Sequence, residues 1–474
     1  VIKKVSETGK KVSQDRETLV TAIVHAKQKM MGPEAFSEAD TSEKRIFSDI
    51  YSMYNEALRT QKLFDYEDLV YTVAREMETN EAYRKDCRNR FQYIFVDEYQ
   101  ELNQAQYRLL RALTPPDNNI CVNGDPDQSI YGFRGSDPRY FNDFIDDFPE
   151  TKTVFLDRNY RSGRIILKAA YQVMDGCPMV FSNRGEEKRR VCSDTEGLKK
   201  NIHILEMSSE RAEADAVSRT IEKMVGGSGY HAQNAGRVGQ TDVSRPLGFS
   251  DLAVLYRTGD QHRVISESLS SCGIPFQVAG PDSGWDRPGT RRLFSLFKVI
   301  EGSGHYVDFE NVVAAWQPGI GKEAVYSFCQ WGLTHGYDLS AAMTEAKRFP
   351  IPGMPRHRQE KLVDLMKRMK GYARQMDGMS FPDKLRHLLT HAGIERIVSE
   401  KGALSPACDQ NRSWGEGCDR TADTFFGRKA LETDIDTVSF DVQKVTLMTL
   451  HAAKGRECKV VFIVGGEEDL IALL

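Results

Sequence analysis

The stretch from Phe91 to Ser136 limits the possible folds of this chain more than any other part of it. It contains the apolar run Tyr93–Val96, followed directly by Asp97 and Glu98. Such a run is typical of a buried parallel strand, which delivers its acids to the carboxyl edge of a sheet, where ligands bind in doubly wound folds. Adjacent Asp and Glu suit a metal-bound phosphate, one holding Mg²⁺ and the other a water. Acids also end buried strands as solvated caps, so this pair alone leaves both interpretations open.

The second half of this stretch combines residue types that have no obvious structural use together in one loop. The segment Gly124–Gly135 carries two acids, Gln128, the aromatics Tyr131 and Phe133, and Arg134. Glycines allow a backbone to approach a ligand closely, and aromatic faces stack on bases of any sequence. The combination indicates a nucleotide-driven motor acting on a nucleic acid strand, and a decorated turn is the simpler alternative.

Strand and helix patterns alternate in two parts of the chain, which is the signature of parallel sheets built from βαβ units. Segments 1–85 and 291–434 are predicted to be mainly helical, and Gly226–Pro246 to be a mobile surface insertion. The sequence therefore predicts an α/β protein with two parallel sheets and helical blocks. The predicted strands are Tyr93–Val96, Ile120–Asn123, Thr153–Leu156, Ile202–Leu205, Leu252–Tyr256, Phe276–Val278, Lys444–Met448 and Val460–Val464.

Composition narrows the class of protein further. The chain has 474 residues and a formal net charge of −4. That charge excludes a generally basic nucleic-acid binder, so any contact with DNA must come from a local groove. The nine cysteines include no C-x-x-C pair, which favours reduced thiols in a cytoplasmic protein over a zinc site or a disulfide framework. No apolar run reaches membrane length, so no contact with a membrane is expected.

Four segments, in this order along the chain, resemble motifs of UvrD/Rep/PcrA-type superfamily 1 helicases. Asp97–Gln100, Gly124–Gly135 and Asn159–Ser162 are similar to motifs II, III and IV, and Val445–Gly455 with Glu457 is similar to motif V. The resemblance implies two RecA-like (P-loop NTPase) parallel-sheet domains with mainly helical accessory domains inserted in them. It places the first motor domain at 89–186, the second at 187–300 and 440–474, and the helical accessory domains at 1–88 and 301–439.

The resemblance also implies roles in a nucleotide site, with ATP and Mg²⁺ as cofactors. Asp97 would hold Mg²⁺, Glu98 would orient or deprotonate the attacking water, and Gln128 would sense the γ-phosphate. Arg161 would act as an arginine finger on the developing charge. Gln100 would couple the nucleotide site to the DNA groove. The remaining nucleotide contacts would be Tyr160 on the adenine, Glu457 on the ribose, and Gly455 beside it.

The implied partners are single-stranded DNA and the junction between single- and double-stranded DNA, bound by a monomer or weak dimer. Tyr131 and Phe133 would stack on bases, and Arg134, Thr449 and His451 would contact bases or backbone. Structural alternatives remain open, because the two aromatics could be core residues and His451 could cap a helix.

Two further places resemble DNA-contacting parts of the family. Arg257, with Gln261 and Arg263, follows a predicted strand as in motif IVa, and a strand-end charge cluster is the structural alternative. The turn Gly319-Ile320-Gly321 resembles an accessory-domain turn that touches duplex phosphates through its backbone, and a plain helix connection is the alternative. It is not a phosphate loop, because Glu323 stands where Ser or Thr is required.

Parts of the family pattern are missing or altered. No G-x-x-x-x-G-K-[ST] motif occurs, so motif I is expected before Val1 and motif VI after Leu474. Both motor domains are then expected to be incomplete, and the chain to be an internal fragment with little ATPase activity of its own. Arg456 and Cys458 replace the usual Leu and Phe of motif V, so a charge stands where an apolar side chain normally packs.

The favoured hypothesis is an ATP-dependent 3′→5′ DNA helicase of DNA repair or replication restart. One alternative is the motor portion of a recombination helicase–nuclease, which a carboxyl-terminal nuclease domain would identify. The other is a non-catalytic DNA-binding relative that lost its phosphate loop, which an upstream phosphate-loop motif would exclude.

Overall fold

The chain forms two compact units, Val1–Leu205 and Glu206–Leu474. The computed structural model describes residues 15–37, 41–115, 119–174, 191–193, 202–226, 247–279, 288–316, 319–380, 383–384, 387–388 and 442–467. The predicted insertion after Gly226 and the last part of the predicted helical block, 389–434, lie outside the described residues.

The first unit begins with four helices and continues with short parallel strands separated by helices. The prediction that segment 1–85 is mainly helical is confirmed over its described residues. In chain order the elements are α1 (Arg16–Gln28), α2 (Ser42–Thr60), α3 (Asp68–Thr79), α4 (Glu81–Arg90), β1 (Tyr93–Val96), α5 (Gln104–Leu113), β2 (Asn119–Val122), α6 (Tyr140–Asp147), β3 (Arg158–Asn159), α7 (Arg164–Met174) and β4 (Cys192–Ser193).

A buried lysine ties the first three helices together. The side chain of Lys27 in α1 is 0% exposed, and its Nζ lies 2.5 Å from Asp65 Oδ2 and 2.7 Å from Asp68 Oδ1. Tyr54 of α2 donates to the same Asp65 carboxylate at 3.0 Å. Asp65 also accepts from the backbone N–H of Asp68 at 2.8 Å, so it caps the start of α3 as well.

The first parallel sheet places the ends of β1 and β2 side by side. The strands pair in register, with Val96 opposite Val122. The Asn123 N–H donates to the carbonyl of Val96 at 2.9 Å, and the Tyr99 N–H donates to the carbonyl of Asn123 at 3.0 Å. The residues that follow the two strands therefore share one edge of the sheet.

Three expectations for this unit are wrong. β1 was expected to be buried on both faces, yet Phe95 is 78% exposed. Among the described residues only β2 pairs with β1. One face of this sheet packs on the cluster around Tyr99 and Phe144, and Tyr93 and Phe95 on the other face are exposed. Thr153–Leu156 and Ile202–Leu205 are not strands, because no described strand pairs with either segment.

The second unit contains a four-stranded parallel sheet and a block of helices. The strands lie in the order β6-β7-β5-β8, so the two carboxyl-terminal strands enter the sheet on either side of β5. The elements are α8 (Glu210–Val225), β5 (Leu252–Tyr256), α9 (His262–Ser271), β6 (Phe276–Val278), α10 (Pro288–Glu301), α11 (Tyr306–Trp316), α12 (Lys322–Thr334), α13 (Leu339–Glu345), α14 (Arg356–Gln375), β7 (Val445–Thr449) and β8 (Val460–Ile463).

The sheet and the helical block of this unit have separate buried cores. All five residues of β5 are buried, as is typical of a central parallel strand. Alternate residues of β5 pack with α8 and α9 on one face and with Met448 and Ala279 on the other. The helical block encloses its own cluster around Phe309, Phe328 and Leu365. Within the described ranges, no helix has the length and apolarity needed to cross a bilayer.

Candidate nucleotide and nucleic-acid site

Paired acids stand at the carboxyl edge of the first sheet. Asp97 and Glu98 follow β1 directly, and both side chains are exposed. The Oδ1 atom of Asp97 accepts from the Glu98 N–H at 2.9 Å. Glu98 has φ 53° and ψ 45°, a left-handed conformation that is uncommon outside glycine and asparagine. The turn directs two neighbouring carboxylates towards solvent at the edge where parallel sheets bind ligands.

Hydrogen bonds through two carboxamides connect the segments that follow β1 and β2. Gln100 is 1% exposed, and its Nε2 donates to Glu98 Oε2 at 2.6 Å. Its Oε1 accepts from the Asp125 N–H at 3.0 Å. The Oδ2 atom of Asp125 accepts from Nε2 of Gln128 at 2.7 Å. Glu98 and Gln128, which were predicted from separate motifs, are therefore linked through Gln100 and Asp125.

Gly124 allows the segment that follows β2 to lie close to the turn that follows β1. A Cβ atom at this position would overlap Oε1 of Gln100 and would lie 2.9 Å from the backbone nitrogen of Tyr99. Tyr99 itself is fully buried beside Phe141 and Phe144 and has no room to yield, and burial raises the pKa of its phenol. The glycine is thus required where the β2 segment passes over the acidic turn.

An aromatic pair, one ring half-buried and the other exposed, lies a few residues beyond Gln128. The rings of Tyr131 and Phe133 have centroids 6.0 Å apart, and the Arg134 guanidinium lies 5.2 Å from one ring centroid and 5.7 Å from the other. Phe133 is 58% exposed and Tyr131 is half-buried, so neither is a core residue. An exposed aromatic surface topped by a cation suits stacked bases and phosphate.

Asn159 holds the turn that carries Tyr160 and Arg161. Its Oδ1 accepts from the Arg161 N–H at 3.0 Å and from the Ser162 N–H at 2.7 Å. Tyr160 is 69% exposed, as a ring that stacks on a ligand must be before the ligand binds. The turn is therefore shaped by a side chain that the sequence identified only as part of a motif.

In the second unit, three predicted DNA-contacting residues lie at or just beyond the ends of two adjacent strands. Arg257 follows β5, and its Nη1 lies 3.2 Å from Nδ1 of His451, which follows β7. Thr449 ends β7, and its Oγ1 accepts from the Ala452 N–H at 3.1 Å. Arg257 and His451 thus come together at the carboxyl edge of this sheet, from positions far apart in the sequence.

The altered residues of motif V are accommodated without burying a charge. Arg456 is exposed, so its guanidinium reaches solvent. Cys458 is half-buried and packs against the cluster on one face of the sheet, and this burial raises the pKa of its thiol. Gly455 has φ 77° and Glu457 is exposed, so both nucleotide-site candidates lie on an open turn.

The Gly319-Ile320-Gly321 turn opens α12 in the helical block. Gly319 has φ 104° and Gly321 has φ 80°, conformations that favour glycine. The Ile320 side chain is fully buried, so only its backbone can face a ligand. Two cations of α14 flank the turn: a Cβ on Gly319 would lie 3.4 Å from Lys361 Nζ, and one on Gly321 would lie 3.4 Å from Arg358 Nη1.

The donor set at Asp97 suits a cation held mainly by other ligands. Among the described residues, no group of three or more His, Cys, Asp or Glu side chains converges on a possible metal position. Mg²⁺ commonly takes one or two carboxylates and fills its remaining positions with water and phosphate oxygens. The exposed Asp97 carboxylate at the strand end fits that mode and no all-protein cage.

Asp125 is the functional candidate that sequence reasoning missed. It lies inside the recognised motif, but its bond to Gln128 depends on the fold of a short 3-10 turn, Pro126–Gln128. The signal available in the sequence was its place two residues before Asp127, whose N–H donates to Asp125 Oδ1 at 3.0 Å as in an Asx turn.

Two parallel-sheet units, with paired acids and a carboxamide relay at one strand edge, define a protein with two RecA-like domains. Residues 1–149 match the family model described as the UvrD/REP helicase N-terminal domain, and residues 154–347 match the UvrD-like helicase C-terminal domain. The chain therefore belongs to the UvrD/Rep/PcrA-type family of superfamily 1 helicases, as its motifs predicted.

Curated relatives resemble the chain along almost its whole length. It is 29% identical over 471 residues to the ATP-dependent DNA helicase PcrA of Staphylococcus aureus strain Mu50, covering 95% of this chain and 60% of that protein. The ATP-dependent DNA helicase PcrA of Staphylococcus epidermidis strain RP62A is 29% identical over 474 residues, with the same coverage. The chain spans about three fifths of the length of these relatives.

Proposed function

We propose that this chain is the motor core of an ATP-dependent DNA helicase that translocates 3′→5′ along single-stranded DNA in repair or replication restart. The observation that carries the proposal is the relay from Glu98 through Gln100 and Asp125 to Gln128, which ends three residues before the half-buried ring of Tyr131 and five before the exposed ring of Phe133. A change at the phosphate end of this relay can therefore move an aromatic platform for bases. The relatives' names, which describe ATP-dependent DNA helicases, support the same activity.

Residues of the first unit would have separate roles in ATP hydrolysis. ATP with Mg²⁺ would supply the transferred phosphoryl group and neutralise its charge. Asp97 would bind the cation, and Glu98, directed to solvent by its left-handed turn, would orient the attacking water. Gln128 would contact the γ-phosphate, so its bond to Asp125 would be exchanged for one to substrate. Tyr160 would stack on the adenine, and Arg161 would stabilise the developing negative charge.

The second unit carries further residues that we propose as nucleotide and DNA contacts. Glu457 would bind the ribose with Gly455 beside it, and Arg257, Thr449 and His451 would contact the DNA strand. The Gly319-Ile320-Gly321 turn, flanked by Arg358 and Lys361, would hold a phosphate of the duplex at a junction. Backbone N–H groups and two cations together offer what a phosphodiester requires.

The domain organisation and setting are proposed on the same basis. The first motor domain would comprise 89–186, the second 187–300 and 440–474, and the helical accessory domains 1–88 and 301–439. The described cysteines are free thiols, which supports a reducing, cytoplasmic setting. The protein would act as a monomer or a weak dimer.

Binding of single-stranded DNA tests the proposal directly. Phe133→Ala removes the most exposed ring of the platform, and one base–aromatic stack is worth about 1–3 kcal/mol. We expect roughly a 5- to 150-fold rise in Kd for a labelled oligonucleotide, measured by fluorescence anisotropy. Phe349→Ala, which removes a ring that is 52% exposed in the helical block, is the matched control and should leave Kd unchanged. Equal Kd values for the two variants would contradict the proposal.

Phosphate release tests the catalytic part. The 474 residues contain no phosphate-loop lysine, and that loop supplies most contacts to the nucleotide phosphates. We therefore propose that this chain alone hydrolyses ATP no faster than its Glu98→Gln variant, with or without single-stranded DNA. DNA-stimulated release above that control would show that the chain is catalytically complete.

A further inference from the structure

The side chain of Gln261 is hydrogen-bonded to the backbone of the loop that follows β5. It ends the short 3-10 turn Gly259–Gln261, and its Oε1 accepts from the N–H groups of both Arg257 and Thr258, each at 2.9 Å. The two donors are the first backbone N–H groups after the strand. One side-chain oxygen therefore sets the direction in which the chain, and the Arg257 side chain with it, leaves the sheet.

Gly465 provides the space for this side chain. It follows β8 with φ 65°, and a Cβ atom there would overlap Nε2 of Gln261. Its own N–H donates to Glu213 of α8, at 3.0 Å to Oε1 and 3.3 Å to Oε2. The Gln261 carboxamide is thus held between its own loop and a backbone segment that is fixed to a neighbouring helix.

The loop that Gln261 directs meets the loop that follows β7. The Leu450 N–H donates to the carbonyl of Tyr256 at 2.9 Å. Arg257 Nη1 then lies 3.2 Å from Nδ1 and 3.4 Å from Nε2 of His451. Arg257 and His451 therefore present a donor group and an imidazole side by side at the carboxyl edge of the sheet.

We propose that Gln261 is a positioning residue for DNA binding: by capping the Arg257 loop against Gly465, it holds the Arg257 guanidinium beside His451 for contact with the DNA backbone. Gln261 does not itself touch the strand. The inference rests on the proposed DNA contact of Arg257. Its consequence is that three loops, from β5, β7 and β8, act as one unit in presenting a single phosphate-binding group.

Salt dependence of binding separates this role from a purely structural one. For single strands, the slope of log K against log salt becomes shallower by about 0.7 for each phosphate that the protein ceases to neutralise. Arg257→Ala should reduce the slope by about that amount. Gln261→Ala should do the same while Arg257 is still present, with a Kd about two- to tenfold higher, the equivalent of one net hydrogen bond. Both are measured by anisotropy with a labelled oligonucleotide over a salt series.

Gln359→Ala is the matched control. Gln359 also bridges backbone groups, accepting from the Ile351 N–H at 3.1 Å and donating to the carbonyls of Ala346 at 2.8 Å and Phe349 at 2.7 Å. It lies in the helical block, so its loss should lower the midpoint of urea denaturation without changing the salt slope. This control shows what loss of a loop-bridging glutamine does to stability alone.

A double-variant cycle tests the contact with Gly465. Gly465→Ala should displace the Gln261 side chain and reproduce the reduced slope, whereas Gly465→Ala added to Gln261→Ala should reduce it no further, because the space is then free. Additive losses would overturn the proposal. So would a Gln261→Ala variant that is less stable but keeps the original slope.

The outcomes also distinguish this inference from the proposed function. If Arg257→Ala keeps the slope while Phe133→Ala still weakens binding, the positioning role is overturned and the helicase proposal stands. If neither variant changes binding, both are overturned.

Discussion

At the scale of single residues, the acidic turn after β1 combines an uncommon backbone conformation at Glu98 with a close backbone approach at Gly124. Glu98 holds a left-handed backbone, which costs a residue with a Cβ about 1–2 kcal/mol. Gly124 lets the next strand's loop pass close enough for Gln100 to bond both Glu98 and the Asp125 N–H. Strain held by surrounding contacts is common where a protein must present groups in one geometry.

A substitution at Gly124 measures how much stability is lost when the segment after β2 can no longer lie close to the turn after β1. Gly124→Ala would push the Gln100 carboxamide away from Asp125, because the added methyl overlaps Oε1 and meets the Tyr99 backbone. We expect a loss of about 1–3 kcal/mol in the free energy of unfolding, measured by urea denaturation. Gly132→Ala is the control, since a Cβ there meets nothing within 4 Å. Equal stability of the two variants would show that the β2 loop is not tightly held.

At the scale of elements, an ion pair fastens β8 to the turn that precedes β5. Lys459 Nζ lies 2.9 Å from Asp251 Oδ1, and the Gly248 N–H donates to Asp251 Oδ2 at 3.0 Å. Partial burial works against ionisation, but the hydrogen bonds from Lys459 and Gly248 and the charge of Lys459 outweigh it, so the pKa of the Asp251 carboxyl is lowered. The edge strand is thus attached more firmly while Asp251 is ionised.

The sign of this shift predicts a pH dependence. Because the pKa of Asp251 is lower in the folded chain, its contribution to stability is complete above the ordinary carboxyl pKa and is lost as pH falls through the lowered value. Asp251→Asn should therefore cost up to about 1 kcal/mol near neutral pH, and this cost should shrink as the pH is lowered below the ordinary carboxyl pKa. Urea denaturation of both proteins across that range measures the difference. A difference that persists in acid, or that survives in a Lys459→Ala background, would contradict the assignment.

Local sequence patterns predict some strands and site contacts of this chain and miss others. β5 to β8 were predicted because each is an apolar run of strand length. The structure confirms all four strands, with β5 buried on both faces and β8 exposed at alternate residues. Thr153–Leu156 is a similar apolar run, but it pairs with no described strand. A local sequence pattern does not specify which strands pair, so this prediction failed. The motifs located Glu98 and Gln128, yet the bonds between them pass through Asp125 and depend on a turn that no spacing rule specifies. Neighbours in space, such as Arg257 and His451, became visible only once the sheet order was known.

At the scale of the whole molecule, positive charge is concentrated where the net charge of −4 gives no hint of it. Helix α14 carries a series of exposed cations. Two of them act on Lys347, which follows α13: partial burial and the charges of Lys370 and Lys367 lower the pKa of Lys347. A duplex could therefore be attracted locally by an acidic protein. The charged residues of α14 are Arg356, Arg358, Lys361, Lys367, Arg368, Lys370 and Arg374, with Glu360 and Asp364.

Charge reversal on two faces of α14 tests whether this attraction is local to the glycine turn. Arg358→Glu with Lys361→Glu removes the cations that flank Gly319 and Gly321. Junction DNA should then bind at least about tenfold more weakly. The slope of log K against log salt should become smaller by about 0.9 for each duplex phosphate that is no longer neutralised. Binding of an oligonucleotide without a duplex should change little. Lys367→Glu with Arg374→Glu changes the net charge equally on a face turned away from Arg358, since these positions differ by about half a helical turn in projection. Anisotropy with junction and single-stranded probes compares the pairs, and equal losses for both would show that the helix attracts DNA only through its total charge.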